Sequence, residues 1–257
     1  MIHPAAVVHP DAKLGPDVEI GPFCVVGANV TIGARTTLIA HVVVNGRTTI
    51  GEDCEIHPFA SVGAESQDRK AVRGEEAFTT IGDRTVIREY VSIHRGTAEA
   101  GGVTSVGNDC LLLGYTHVAH NCQIGDHVTM SNLAQLAGHV VVEDHATIGA
   151  MAGVHQFVRI GRYAFVGGYT KLVRDVPPFF LAEGNPAEVY GLNAVGLRRA
   201  GFSREALGEL KDAYKTIYRS ENNVSQALTV LRETVLTDEG RTLLAFLEAS
   251  SDRGITK

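Results

Sequence analysis

An aliphatic residue recurs every six positions through most of this chain. Val8, Leu14, Ile20, Val26, Ile32, Leu38, Val44, Ile50, Ile56 and Val62 hold the phase without a break. Ile81, Ile87 and Ile93 resume it, and twelve further steps run from Val106 to Leu172, giving 25 hexads in all. A period this short excludes an ordinary sandwich, whose turn signals fall about 8–12 residues apart. It requires units that bury their apolar sides only by stacking on one another. Three hexads close a triangular coil, so the pattern predicts a parallel β-helix of about eight coils, on the order of 40 Å long at ~4.8 Å per strand spacing. The phase does not set its handedness.

Other positions of the hexad are also patterned. Glycine often follows the aliphatic residue, as at Gly15, Gly21, Gly33 and Gly125, and the corners are expected there because glycine adopts turn conformations that other residues resist. Four positions after the aliphatic residue comes a small or β-branched one, such as Val18, Thr36 or Ala134. All four cysteines (Cys24, Cys54, Cys110 and Cys122) occupy that slot. They read as small core residues rather than as disulfide partners or metal ligands.

The phase breaks twice, at about 64–80 and 96–105, in charged or Gly-rich stretches that read as loops leaving the prism. Loops on a rigid repeat commonly carry function. After "VPPFF" (176–180) helical signals replace the hexad. Ser203 is a candidate N-cap for a helix with Leu207, Leu210, Tyr214, Ile217 and Tyr218 on one face, and further helices are expected over 224–235 and 237–249. The fold class is therefore mainly β: a hexapeptide-repeat β-helix over 1–176 and a small C-terminal α-helical domain over 177–257.

No basic and apolar leader opens the sequence and no run of 18 apolar residues spans it, so a soluble cytoplasmic protein with no transmembrane segment is expected. The net charge of −6 suggests no nucleic-acid partner, but residues 159–219 hold ten Lys/Arg against six Asp/Glu. That segment reads as solvated helix faces or as a docking surface for an acidic partner.

Of the 11 histidines, His3, His9, His41, His57, His94, His127 and His145 read as surface or corner residues. The other four are grouped. His120, His139 and His155 are each about one coil apart, and His117 precedes His120 by three residues, across Val118, which points inward. Three histidines at one edge admit a zinc site with an open position, as in the γ-type carbonic anhydrases. They also admit polar corner residues on a noncatalytic scaffold. A general base fits better, because neutral imidazole accepts a proton from a hydroxyl near physiological pH, as acyl transfer to a sugar alcohol requires. Gly138, beside His139, offers a backbone N–H to an oxyanion. No metal and no cofactor are then expected.

The motifs "SQDRK", "IHRGT", "HVAHN", "LAGHV", "VHQF", "VGG", "DVPPF", "GNPAEVYGLN", "GLRRAGFSREA" and "AYKTIYRS" occur in an order that resembles the bacterial UDP-N-acetylglucosamine 3-O-acyltransferases over essentially the whole chain. The resemblance implies a left-handed β-helix, a homotrimer with sites between subunits, and transfer of a 3-hydroxyacyl chain from acyl carrier protein in the first step of lipid A synthesis. It implies His120 as general base and Gly138 as oxyanion donor. Gln67, Asp68, Lys70, His117, His139, His155, Gln156, Asn193 and Arg199 are implied as substrate-binding residues. Gly168 is implied as the gate on acyl length, and glycine there suggests a longer chain. The basic segment gains the acidic carrier protein as its partner.

Three positions depart from the better-known members: Asn121 follows the base where they have aspartate, Pro186 replaces a histidine, and Val195 replaces a glutamate. These leave the 3-amino analogue of UDP-N-acetylglucosamine open as acceptor. A related UDP-sugar N-acyltransferase is a more distant alternative, disfavoured because the hexads begin at once instead of after a further N-terminal domain.

Overall fold

A computed structural model describes residues 1–72, 74–98, 101–249 and 251–256. Arg73 of the first predicted loop and Glu99 and Ala100 of the second lie outside the described residues. Each of the 25 hexads places its aliphatic residue in a short parallel strand, and strands three hexads apart pair in register, as Val7–Val8 does with Val25–Val26. Three sheets result among the described residues. The first face has nine strands, from Val7–Val8 to Lys171–Leu172; the second has eight, from Lys13–Leu14 to Arg159–Ile160; the third has ten, beginning at Glu19–Ile20. The aliphatic residues fill the prism, with Leu38, Val44, Ile56, Ile87, Val118 and Leu172 at 0% exposure, and the four free cysteines are buried among them.

The corners differ from the expectation. The glycine after the aliphatic residue mostly keeps ordinary φ, and positive φ falls two residues later on Asp17, Phe23, Arg35, Asn121, His139, Phe157 and their equivalents. Glycine is selected there by close approach: a Cβ on Gly15 would meet the Ala34 backbone nitrogen at 2.7 Å, and one on Gly33 would meet the Gly51 carbonyl carbon at 2.5 Å. A left-handed conformation costs a non-glycine residue roughly 1–2 kcal/mol. Stacking along the edge offsets it, as in Phe23–His41–Phe59 (4.9 Å between successive ring centroids) and His127–His145 (4.6 Å).

The residue before the left-handed one has an N–H that the coil-to-coil ladder leaves without a carbonyl. Proline, which has no N–H, fits that slot at Pro16, Pro22 and Pro58. On the edge between the second and third faces, side chains of the next coil supply the acceptor: Asp83 N–H donates to Asn108 Oδ1 (2.8 Å), and Asp126 N–H to Asp144 Oδ1 (3.0 Å). The same backbone slot recurs at the edge between the first and second faces, where His120, Gly138 and Gln156 occupy it.

Beyond the hexads, Phe180–Glu183 extends the third face in parallel with Phe165–Val166, and Glu188–Leu192 pairs with it antiparallel. Four helices follow among the described residues: α1 (Ala194–Arg199), α2 (Arg204–Tyr218), α3 (Val224–Thr234) and α4 (Asp238–Glu248). Ser203, Asn223 and Thr237 cap the last three, each accepting a backbone N–H from three residues on. The α1 helix and the antiparallel pair were not foreseen from the sequence, because both are short and lack a sustained period. Arg159 ties the helices to the prism. Its guanidinium donates to the fully buried Asp175 (2.8 Å) and to the carbonyls of Phe246 and Ala249.

Candidate active site

Both loop excursions leave from the edge between the first and second faces, after Ser61–Ala64 and after Ser92–His94. His120 stands on that edge, two residues past the inward Val118. The excursions fold back on it from two sides. From the second, Thr97 donates its backbone N–H (3.0 Å) and its hydroxyl (2.8 Å) to Asn121 Oδ1, and its carbonyl accepts from Asn121 Nδ2 (3.1 Å). A backbone N–H only donates and a carbonyl only accepts, so Thr97 fixes which way the Asn121 amide points. His120 Nδ1 lies 2.8 Å from that same Oδ1. Nδ1 therefore carries the proton, and Nε2 presents a lone pair.

From the first excursion, Asp68 Oδ2 sits 3.6 Å from His120 Nε2, while Oδ1 accepts the Lys70 backbone N–H (3.0 Å). This separation is too long for a direct hydrogen bond. It leaves a polar gap at that nitrogen, with the Asp68 carboxylate on its rim. Gly138 lies against the same nitrogen, where a Cβ would stand only 2.5 Å from Nε2. Among the described residues the Gly138 N–H has no hydrogen-bond partner. His139 meets the His120 ring edge-on at 5.0 Å and stacks on Phe157 at 4.5 Å. His155, by contrast, makes no ring contact with His139; it is exposed, one residue past its strand. It joins His117, Ala137, Gly153, Lys171 and Leu172 around a cavity of about 400 Å³ on the first face.

Gln67, Lys70 and Gln156 are exposed around this edge. Three other candidates lie elsewhere on the chain. Gly168 is exposed on the edge between the third and first faces. Asn193 caps α1 and donates to the Tyr163 carbonyl (3.0 Å) at the edge between the second and third faces. Arg199, at the end of α1, is exposed with it. One chain alone does not bring these to His120.

The carboxylate beside His120 is carried by Asp68 from a loop 52 residues earlier in the chain. One sequence reading is corrected. His94 is not a surface residue: it is 5% exposed and meets His117 edge-on at 4.7 Å, and burial pushes its pKa down to about 4. Both it and Thr97 fall inside the "IHRGT" motif, but nothing in that string says what they touch. Among the described residues no three His, Cys, Asp or Glu side chains converge as metal ligands.

The comparisons with known proteins decide the family. A solved LpxA structure from Acinetobacter baumannii is 43% identical, with a TM-score of 0.97, covering 100% of this chain and 99% of that one. The chain belongs to the UDP-N-acetylglucosamine O-acyltransferases. LpxA from Bacteroides fragilis, described as a UDP-N-acetylglucosamine acyltransferase, is 41% identical (TM-score 0.97, 100% of both chains). The Arabidopsis UDP-N-acetylglucosamine acyltransferase is 35% identical (TM-score 0.88, 100% of both chains). Residues 175–256 match the family described as "Udp N-acetylglucosamine O-acyltransferase; Domain 2", and residues 1–34 match the bacterial transferase hexapeptide repeats. The prism is thus the left-handed parallel β-helix of this acyltransferase family.

Proposed function

We propose that the protein transfers a 3-hydroxyacyl chain from the thioester of acyl carrier protein to the 3-hydroxyl of UDP-N-acetylglucosamine, opening lipid A synthesis in the cytoplasm. The observation that carries the mechanism is the His120 ring, with its proton held on Nδ1 by Asn121 and its lone pair aimed between Asp68 and Gly138. Nε2 takes the proton of the sugar hydroxyl as its oxygen attacks the thioester carbonyl. The Gly138 N–H receives the developing oxyanion. Collapse of the tetrahedral species breaks the carbon–sulfur bond, and the imidazolium returns the proton to the departing thiol. No metal or cofactor enters.

Gln67, Asp68 and Lys70 act on the sugar and its phosphates, where a cationic donor suits a diphosphate. His117, His139, His155 and Gln156 hold the substrate along the cleft. Asn193 and Arg199 complete the nucleotide and pantetheine contacts, and Gly168 leaves the acyl channel open for a longer chain. These residues occupy different edges of the prism, which supports a homotrimer in which the His120 edge of one subunit faces another edge of its neighbour. The division at about residue 176 then separates the catalytic prism from a helical unit. The basic segment 159–219 offers the acidic carrier protein a docking surface, and added salt should weaken that step.

The names of the relatives favour the 3-hydroxyl over the 3-amino acceptor. Mass spectrometry of products formed from each sugar with hydroxyacyl carrier proteins of several lengths tests this. Acylation of UDP-N-acetylglucosamine is expected; acylation of the 3-amino sugar alone would replace it.

A further inference from the structure

Next to the base lies a second imidazole pair whose anchoring has no counterpart in the mechanism above. His117 is the outward residue of its strand and pairs in register with Ser92 of the preceding coil. The Ser92 hydroxyl lies 2.7 Å from His117 Nδ1, and buried His94 packs edge-on against the same ring at 4.7 Å. The His117 ring is thus gripped at one nitrogen and buttressed on one side. Nε2 is left as the nitrogen available to the cavity that His117 shares with His155 and Ala137.

We propose that Ser92 is a positioning residue for acyl transfer, its hydroxyl holding Nδ1 and so the plane of the His117 ring, which keeps Nε2 directed at bound substrate. The inference rests on the reading of His117 as a cleft residue. Burial depresses the pKa values of His94 and His117, so the contact is a polar one between neutral groups and depends on geometry. The Ser92 backbone also bonds to His117, and His94 packs on the ring, so loss of the hydroxyl loosens the ring rather than freeing it, and the reacting pose is held for less of the time. Threonine keeps the hydroxyl and suits a strand.

The test is a double-mutant cycle read by kcat/KM, with melting temperature as a folding control. Ser92→Ala is expected to lower kcat/KM about five- to tenfold, the value of one hydrogen bond, and Ser92→Thr to restore it to within about twofold. In a His117→Ala background, Ser92→Ala should have no further effect. Equal loss in both backgrounds, or equal loss in Ser92→Thr and Ser92→Ala, would show that Ser92 acts through packing and overturn the proposal. Full activity of Ser92→Ala while His117→Ala is impaired would overturn it and leave His117 in the cleft. Full activity of His117→Ala would remove both.

Discussion

Asn121 Oδ1 accepts from His120 Nδ1 at 2.8 Å while its amide pairs with both the N–H and the C=O of Thr97. An amide matches that donor–acceptor pair, and a carboxylate does not, since it has no N–H for the Thr97 carbonyl. This gives a physical reason for asparagine where better-known relatives carry aspartate, and Asp68 on the other side of the ring supplies the missing negative charge. Restoring the familiar residue is therefore expected to harm the protein. Asn121→Asp should lose about 1–3 kcal/mol of stability, by leaving the Thr97 carbonyl unpaired, and should lower kcat/KM. Asn121→Ala should lower kcat/KM on the order of 10- to 100-fold, as when a ligand-orienting partner is removed. Steady-state kinetics and urea titration of both variants check this.

Gly138 leaves no room for a side chain beside the base. Gly138→Ala puts a Cβ 2.5 Å from His120 Nε2 and 2.7 Å from Cε1, so the ring must move. The backbone there has ordinary φ, so alanine itself is tolerated. Activity should fall about 100-fold, with a melting temperature near wild type, read from turnover and thermal unfolding in parallel.

Gly168 is exposed, and the nearest atom to an added Cβ is the Ala150 carbonyl oxygen at 3.3 Å. A larger side chain there projects into open space at small cost to the fold. Gly168→Met should shift preference toward shorter acyl donors in a competition between carrier proteins loaded with different chains. An unchanged preference would remove Gly168 from the channel.

His94 links pH to stability. Burial lowers its pKa from 6.5 to about 4, so between these values the unfolded chain binds the proton and the folded one does not. Stability therefore rises with pH across that window, and acidification from pH 6.5 to 4 should cost on the order of 3 kcal/mol from this group. His94→Phe keeps an aromatic ring against His117 and removes the proton. Urea unfolding at fixed protein concentration should show a weaker acid loss in that variant.

The hexads from Val8 to Leu172 were legible because burial in a prism imposes one inward residue per strand, and the cysteines followed from their shared slot. The corner geometry was misread at Gly15 and Gly33, because local turn rules place glycine at positive φ, whereas coil-on-coil contact selects it here. Thr97 and Asp68 were invisible as partners of Asn121 and His120 because loop closure is set by neither hexad phase nor local propensity. His94 was missed for a related reason: its surroundings come from the next coil, one strand away in space and more than 20 residues away in sequence.

Acyl transfer by this mechanism depends on His120 as the base. Turnover of UDP-N-acetylglucosamine by purified His120→Ala, measured by mass spectrometry of the acylated product, should drop by about 10³-fold, within the usual range for a general base, with the fold intact by thermal unfolding. Near wild-type turnover in that variant would contradict it.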